Sequence, residues 1–237
     1  MSATVTQAEV VTEQPSYRVS TLFTGFVRMW RAWKFVLPAI VINAVLQGLL
    51  VIPVPLTGYS PVFLLTVILS AVILLALSAT IAAAALDSAV GPATWSSAWQ
   101  RIRGNGGWFT LWTVALAIVV LIGLAIYTLP GLLILAIVPF LTLAAMFGQR
   151  NAFVANFRVI GARPLRWIIT MIIIGILLFF TWVAMALTGF FGRPIIGAML
   201  STLVGGLLLW WWQTSLALIF RSVFRDDPSG GEPSLPE

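Results

Sequence analysis

Cysteine and histidine are both absent from the 237 residues. Their absence excludes disulfides, thiolate nucleophiles, Cys/His metal sites, haem ligation and imidazole bases. Charge of either sign is scarce: 8% of residues are charged, against about 25% in soluble domains. Acidic residues are scarcest in the body of the chain, where Asp87 is the only one between Glu13 and Asp226. Paired carboxylates for acid–base or metal chemistry are therefore missing there. Lysine is nearly missing too; Lys34 is the only one, and arginine carries almost all of the net charge of +6. The Ala/Arg-rich, Lys-poor composition points to a GC-rich bacterial genome.

Apolar residues are what the chain has in plenty. Hydrophobic residues make up 60%, and the mean hydropathy is +1.05. A soluble fold of this length could not hide that much apolar surface, so the expected solvent is lipid. The opening "MSATVTQAEVVTEQPSYRVS" is polar and lacks a basic stretch leading into a short apolar one. It reads as a disordered tail (1–19) rather than a signal peptide, and "DDPSGGEPSLPE" (226–237) as a second one. Residues 20–225 form the membrane domain between them.

A helix needs about 20 apolar residues to cross a bilayer. Six segments meet that length, roughly 35–56, 61–86, 107–128, 130–148, 165–191 and 194–220. Pro38, Pro53 and Pro139 predict kinks, tolerable where neighbouring helices satisfy the freed backbone groups. On one side the connections "TGYS", "YTLPG" and "GFFGRP" contain one basic residue, Arg193; the other twelve of thirteen fall on the opposite side. The positive-inside bias assigns that side to the cytoplasm. The chain is thus expected to be a multi-pass protein of the bacterial inner membrane with both termini cytoplasmic.

The stretch "RNAFVANFRVIGARPLRW" concentrates Arg150, Arg158, Arg163 and Arg166 without an acid. It is also periodic. Phe153, Asn156, Phe157 and Ile160 share a stripe with arginines opposite, the pattern of a helix lying in the interface plane, with Gly161 as its stop and Pro164 opening the next span. Phe23, Phe26, Val27 and Trp30 repeat the spacing, as do Trp95, Ala98, Trp99 and Ile102. The fold expected is all-α: six transmembrane helices as three hairpins, each preceded by a short cytoplasmic interfacial amphipathic helix at about 21–32, 94–103 and 150–160.

The segments "SSAWQRIRGNGGWFTLWTV", "IYTLPGLLILAIVPFLTLAA" and "RNAFVANFRVIGARPLRWIITMI" bring in a resemblance. Over roughly 20–225 the chain resembles the bacterial membrane-domain families related to the membrane region of glycerophosphoryl diester phosphodiesterases. The resemblance implies a six-span fold. It does not imply the phosphodiesterase activity, because no stretch here could supply that soluble domain's metal-binding carboxylates.

Few residues could carry chemistry. Asp87, at the cytoplasmic end of the second span, opposes the helix dipole and calls for a partner, Arg101 or Arg103. Asn43 and Gln47, one turn apart in the first span, together with Trp211 and Gln213 in the sixth, could form an intramembrane polar and aromatic patch. The alternatives are amides that join helices, and tryptophans that pack against the small residues of "SATIAAAA". Arg158, Arg163 and Arg166, with Trp167, are expected to bind anionic lipid phosphate at the inner leaflet. No nucleophile–base set, phosphate-cradling loop or metal cluster is readable, and no cofactor is implied. The expected function is a non-enzymatic scaffold or accessory module in lipid or envelope processes. The competing reading is a small transporter or exporter component, including a self-resistance protein. Anionic phospholipids are the expected partners, with another membrane protein or an ATP-binding cassette subunit as the protein partner; nucleic acid is not expected.

Overall fold

A computed structural model describes residues 20–51, 60–126, 128–162, 164–165, 167–172, 175–176 and 194–224. Regular structure among them is entirely helical. In chain order the helices are α1 (Ser20–Met29), a 3-10 turn (Trp30–Ala32), α2 (Trp33–Leu50), α3 (Pro61–Val90), α4 (Trp95–Ile126), α5 (Thr128–Ile137), α6 (Leu141–Met146), α7 (Ala152–Ala162) and α8 (Pro194–Phe224). Four runs among the described residues are long and apolar enough to cross a membrane: Ser20–Leu50, Pro61–Val90, Trp95–Gly123 and Ile195–Phe224. The last three, of 29–30 residues, exceed the ~30 Å hydrocarbon core at 1.5 Å per residue, so their ends reach the interface or tilt.

Local chemistry sets several ends. The Ser60 hydroxyl accepts from the Phe63 N–H at 3.1 Å, and Pro61 fills the first position of α3, where no N–H is needed. Asn151 caps α7 by accepting from the Val154 N–H at 3.1 Å. After α6, Gly148 adopts φ +93°, Gln149 N–H reaches Ala144 C=O at 3.0 Å, and Gly148 N–H reaches Ala145 C=O at 3.1 Å. This is a Schellman stop, and it needs glycine at the left-handed position.

The structure changes three expectations. The segment 130–148 is not one continuous span. It breaks over Val138–Phe140 into α5 and α6, because Pro139 has no N–H for the Leu135 carbonyl and its ring crowds that turn. The segment 94–103 is not a separate interfacial helix. It is the start of the unbroken 32-residue α4, since nothing in "QRIRGNGGW" opposes helix strongly enough to end it. Gly161 lies inside the last turn of α7 rather than after it. The expected fifth span, 165–191, Pro53 and both tails lie mostly or wholly outside the described residues, which contain four helices long and apolar enough to span.

α1 behaves differently from the start of α4. Gly48 lies against Met199 and Ile40 against Gly206, so α2 and α8 run antiparallel. At equal rise per residue, a straight continuation would bring Gly25 to about position 221 of α8. Gly25 instead sits on Ser215, and the Leu22 carbonyl accepts from Trp211 Nε1 at 2.9 Å. The chain therefore bends at the 3-10 turn, where Ala32 has φ −106° and ψ 10°, and α1 folds back against α8.

Burial is concentrated at one end. On α3 nearly every residue from Leu77 to Ala89 is buried, whereas Val62, Leu64, Leu65, Val67, Ile68, Leu69, Val72 and Leu74 are exposed. One cluster joins Ala82, Ala83, Leu86, Phe109, Phe140, Leu143, Trp167, Leu216 and Phe220. A second surrounds Trp210 with Met29, Ala32, Val36, Ile40, Leu77, Ile81 and Ala84. A helix that exposes apolar side chains over about three and a half turns suits a hydrocarbon solvent.

Candidate functional site

The end of the bundle that holds the core also gathers the described arginines. α3 ends there, α4 begins there, and the C-terminal turns of α6 and α8 meet α7 there. The last carbonyls of α3 have no helical partner and carry the negative end of its dipole. Arg28 Nη1 donates to the Ala89 carbonyl, and Arg31 Nη1 to the Ser88 carbonyl at 3.3 Å. Two side chains that the sequence reading counted as topology signals thus close a helix.

Asp87 lies one turn back. Its Oδ1 accepts from Arg101 Nε at 3.2 Å and Nη2 at 3.0 Å, and its Oδ2 from Ser97 Oγ at 2.8 Å. The side chains are 10% and 23% exposed, so solvent screens the pair only in part. Of the two partners expected, the structure selects Arg101. Thr94 caps α4, accepting from the Ser97 N–H at 3.2 Å. Ser97 therefore links the start of one helix to the carboxylate at the end of another. The pattern Thr94-x-x-Ser97 was a readable cap signal; its reach to Asp87 was not.

Across the bundle, α4 closes α6. Asn105 Nδ2 donates to Met146 C=O at 3.2 Å, and Trp108 Nε1 to Gln149 C=O at 3.1 Å. Asn156 on α7 is wholly buried and spans the break in the fourth segment. Its Oδ1 accepts from the Phe140 N–H at 3.0 Å, and its Nδ2 donates to the Ile137 carbonyl at 2.9 Å. Pro139 opens the ladder, and this amide satisfies one freed group on either side of it, the Ile137 carbonyl and the Phe140 N–H. Arg221 lies over the Phe147 ring at 4.5 Å and Arg158 over Phe224 at 5.8 Å.

Two of the four residues expected to hold lipid phosphate, Arg158 and Trp167, lie among the described residues. Arg163 and Arg166 lie outside the described residues. Arg158 is exposed, beside Phe224. Trp167 is a correction: it is buried against Phe140 (5.1 Å between centroids) and Trp212 (6.5 Å), so its ring packs in the core and does not face outward to lipid. Core packing there outcompetes the interface that its place beside Arg166 suggested.

The expected intramembrane patch is dispersed. Asn43 Nδ2 donates to the Ile73 carbonyl at 3.2 Å. Gln47 Nε2 donates to the Ser70 carbonyl at 3.3 Å and its Oε1 accepts from Ser70 Oγ at 2.7 Å. These amides join α2 to α3. Gln47 and Ser70 also lie on a shallow, mainly apolar groove of about 420 Å³ that includes Phe63, Thr66 and Leu74. Trp211 holds α1 to α8 through the Leu22 carbonyl, and Trp210 fills the second core cluster. The Oε1 of Gln213 is buried without a partner among the described residues.

The aromatic stripes of all three amphipathic segments face outward. α1 buries Leu22, Gly25 and Met29 and exposes Phe23, Phe26, Val27 and Trp30; α7 buries Ala152, Ala155, Asn156 and Val159 and exposes Phe153 and Phe157. At the start of α4, Ala98 is buried while Trp95 and Trp99 are exposed. An apolar and aromatic rim therefore surrounds the arginine-bearing end. No family model, curated protein or solved structure matches the chain.

Proposed function

We propose that the chain is a non-enzymatic integral protein of the bacterial inner membrane, a scaffold or accessory module in lipid or envelope processes. Its arginine-rich end and both termini lie at the cytoplasmic leaflet. The six-span layout of three hairpins, in the manner of the membrane-domain families related to glycerophosphoryl diester phosphodiesterases, belongs to this proposal. The bent-back α1 and the separate α7 support it as interfacial helices.

One observation carries the reading. Seven of the described polar side chains at the arginine-bearing end hold helix ends and breaks: Arg28 and Arg31 on α3, Asp87 with Arg101 and Ser97, Asn105 on α6, Asn156 across the α5–α6 break. They do not converge on a cavity where a substrate could react. Meanwhile the far halves of α3 and α4 present exposed Leu65, Ile68, Ile118 and Ile122, surface suited to lipid and to another membrane protein. A photo-activatable amino acid placed at Leu65 or Ile68 in living cells is expected to trap a discrete membrane-protein adduct. Adducts with lipid alone at both positions would count against a scaffold.

A second reading, a small transporter or exporter component acting with an ATP-binding cassette subunit, or a self-resistance protein, draws on two features. They are the broken α5–α6 segment, of a kind that transporters use near the midplane, and the groove bearing Gln47 and Ser70. Against it, Asn156 already occupies two of the groups that the break frees, the Phe140 N–H and the Ile137 carbonyl. Substrate-dependent flux into vesicles containing the purified chain would favour this reading over the first.

A further inference from the structure

The described arginines at the basic end are mostly occupied. Arg28 and Arg31 serve carbonyls, Arg101 serves Asp87, and Arg158 and Arg221 lie against phenyl rings. Arg103 differs. It is exposed on the outside of α4, its guanidinium 5.1 Å from the centre of the Trp99 ring. Trp99 in turn stacks on Trp95 at 5.8 Å and 20°, and Phe35 meets Trp95 edge-on at 6.0 Å. Both indoles remain about half exposed, at 41% and 52%. No carboxylate within residues 14–225 is left for Arg103, because Asp87 is the only one and Arg101 and Ser97 occupy it.

The surroundings of Arg103 fit an amphiphile. Gly104 and Gly107 have open space where a side chain would be, so a bulky head can approach the backbone. Gly107, Leu111, Val114 and Ile118 follow Arg103 at i+4, i+8, i+11 and i+15, one face of the helix. The three larger ones are exposed, at 55%, 45% and 53%. That face extends about 22 Å from Arg103, enough to accompany an acyl chain through its half of the ~30 Å hydrocarbon core. Indoles favour this boundary, and a guanidinium held flat against a ring keeps its edge donors free for two phosphate oxygens.

We propose that Arg103, with the Trp95–Trp99 pair, binds the phosphate of an anionic glycerophospholipid whose acyl chain lies along Leu111, Val114 and Ile118. The site rests on the reading that this end of the bundle meets a membrane leaflet, and it names the lipid position that the Arg158/Trp167 geometry does not supply.

Native mass spectrometry of the full-length chain, loaded with a defined mixture of phosphatidylglycerol and phosphatidylcholine, tests it. The wild type is expected to retain phosphatidylglycerol preferentially. Arg103→Gln should lower that bound population roughly fivefold, the equilibrium effect of about 1 kcal/mol for one basic residue at an anionic surface. Arg103→Lys should retain an intermediate amount. Arg150→Gln, which removes an exposed arginine elsewhere at this end, should behave as wild type. Equal retention by Arg103→Gln and wild type overturns the site, and so does an equal fall in Arg103→Gln and Arg150→Gln, which would indicate charge without a site. If phosphatidylglycerol binds only after residues 226–237 are removed, the acidic tail is the occupant and the lipid assignment fails. The thermal midpoint of Arg103→Gln, which leaves the Asp87–Arg101 pair intact, separates lost lipid from lost fold. Lipid binding by purified protein is independent of protein adducts in cells, so either result can fail without the other.

Discussion

Replacing Asn156 with alanine removes the donor to Ile137 C=O and the acceptor for Phe140 N–H, bonds of 2.9 and 3.0 Å at a position with no solvent exposure. Each buried backbone group left without a partner costs about 1–3 kcal/mol. Hydrogen bonds between membrane helices average nearer 0.6 kcal/mol, because the unfolded reference also finds partners. Here the break at Pro139 denies the backbone that alternative, so the expected loss is about 2–4 kcal/mol. Asn151→Ala removes only an exposed N-cap and should cost about 1 kcal/mol. Denaturant titration of both variants in bicelles gives the comparison. The loss should also be coupled to Pro139. In a Pro139→Ala background a continuous helix can pair Phe140 N–H with Ala136 C=O and Ile137 C=O with Leu141 N–H. There, Asn156→Ala should cost at least about 1 kcal/mol less. An Asn156→Ala loss no greater than that of Asn151→Ala, or an undiminished loss beside Pro139→Ala, would refute the assignment.

Asp87→Asn and Arg101→Gln should each destabilise by about 1–3 kcal/mol, and the double variant by less than their sum, since each single change strands a partly buried charge; thermal unfolding in detergent measures this. Gly25→Ala would drive a methyl into Ser215 Oγ and place it 3.0 Å from the Ser215 Cα, pushing α1 off α8 at a cost of about 1–3 kcal/mol. Gly161→Ala enters open space and should stabilise α7 by up to about 1 kcal/mol. In intact cells an impermeant thiol reagent should label a cysteine at Ser60 and not one at Ser96; the reverse pattern would invert the proposed orientation.

Much of the helical framework was legible because apolar runs of this length leave few alternatives. α3 starts at the Ser-Pro signal, and the lone Asp87 found an arginine fourteen residues on. The faces of the amphipathic segments were less legible. Aromatic residues are the most apolar in each segment, and periodicity marks them as a stripe, but in lipid both sides of that stripe avoid water. What decides is approach distance. Gly25, Ala98, Ala152 and Ala155 let helices close up, so they turn inward and leave Phe26, Trp99 and Phe157 outside. Asn156 was grouped with Phe153 and Phe157, but it turns inward while they face out, and its partners are backbone groups sixteen and nineteen residues away, exposed only because Pro139 breaks its segment. Trp167 misled for a related reason: adjacency to Arg166 in sequence says nothing of which way the ring turns.

The bond from Trp211 to the Leu22 carbonyl spans 189 residues, and that from Arg28 to Ala89 spans 61. Synthesis runs from the N-terminus, so α1 leaves the ribosome long before the surfaces it docks on. Until α3 is complete, Arg28 and Arg31 have no carbonyls to close; until α8 is inserted, Gly25 has no Ser215 beside it. The first of the described helices to be made can thus seat fully only once α8 is in place. During that interval its exposed phenylalanines and tryptophan can keep it at the membrane surface, close to the bundle it will eventually lock.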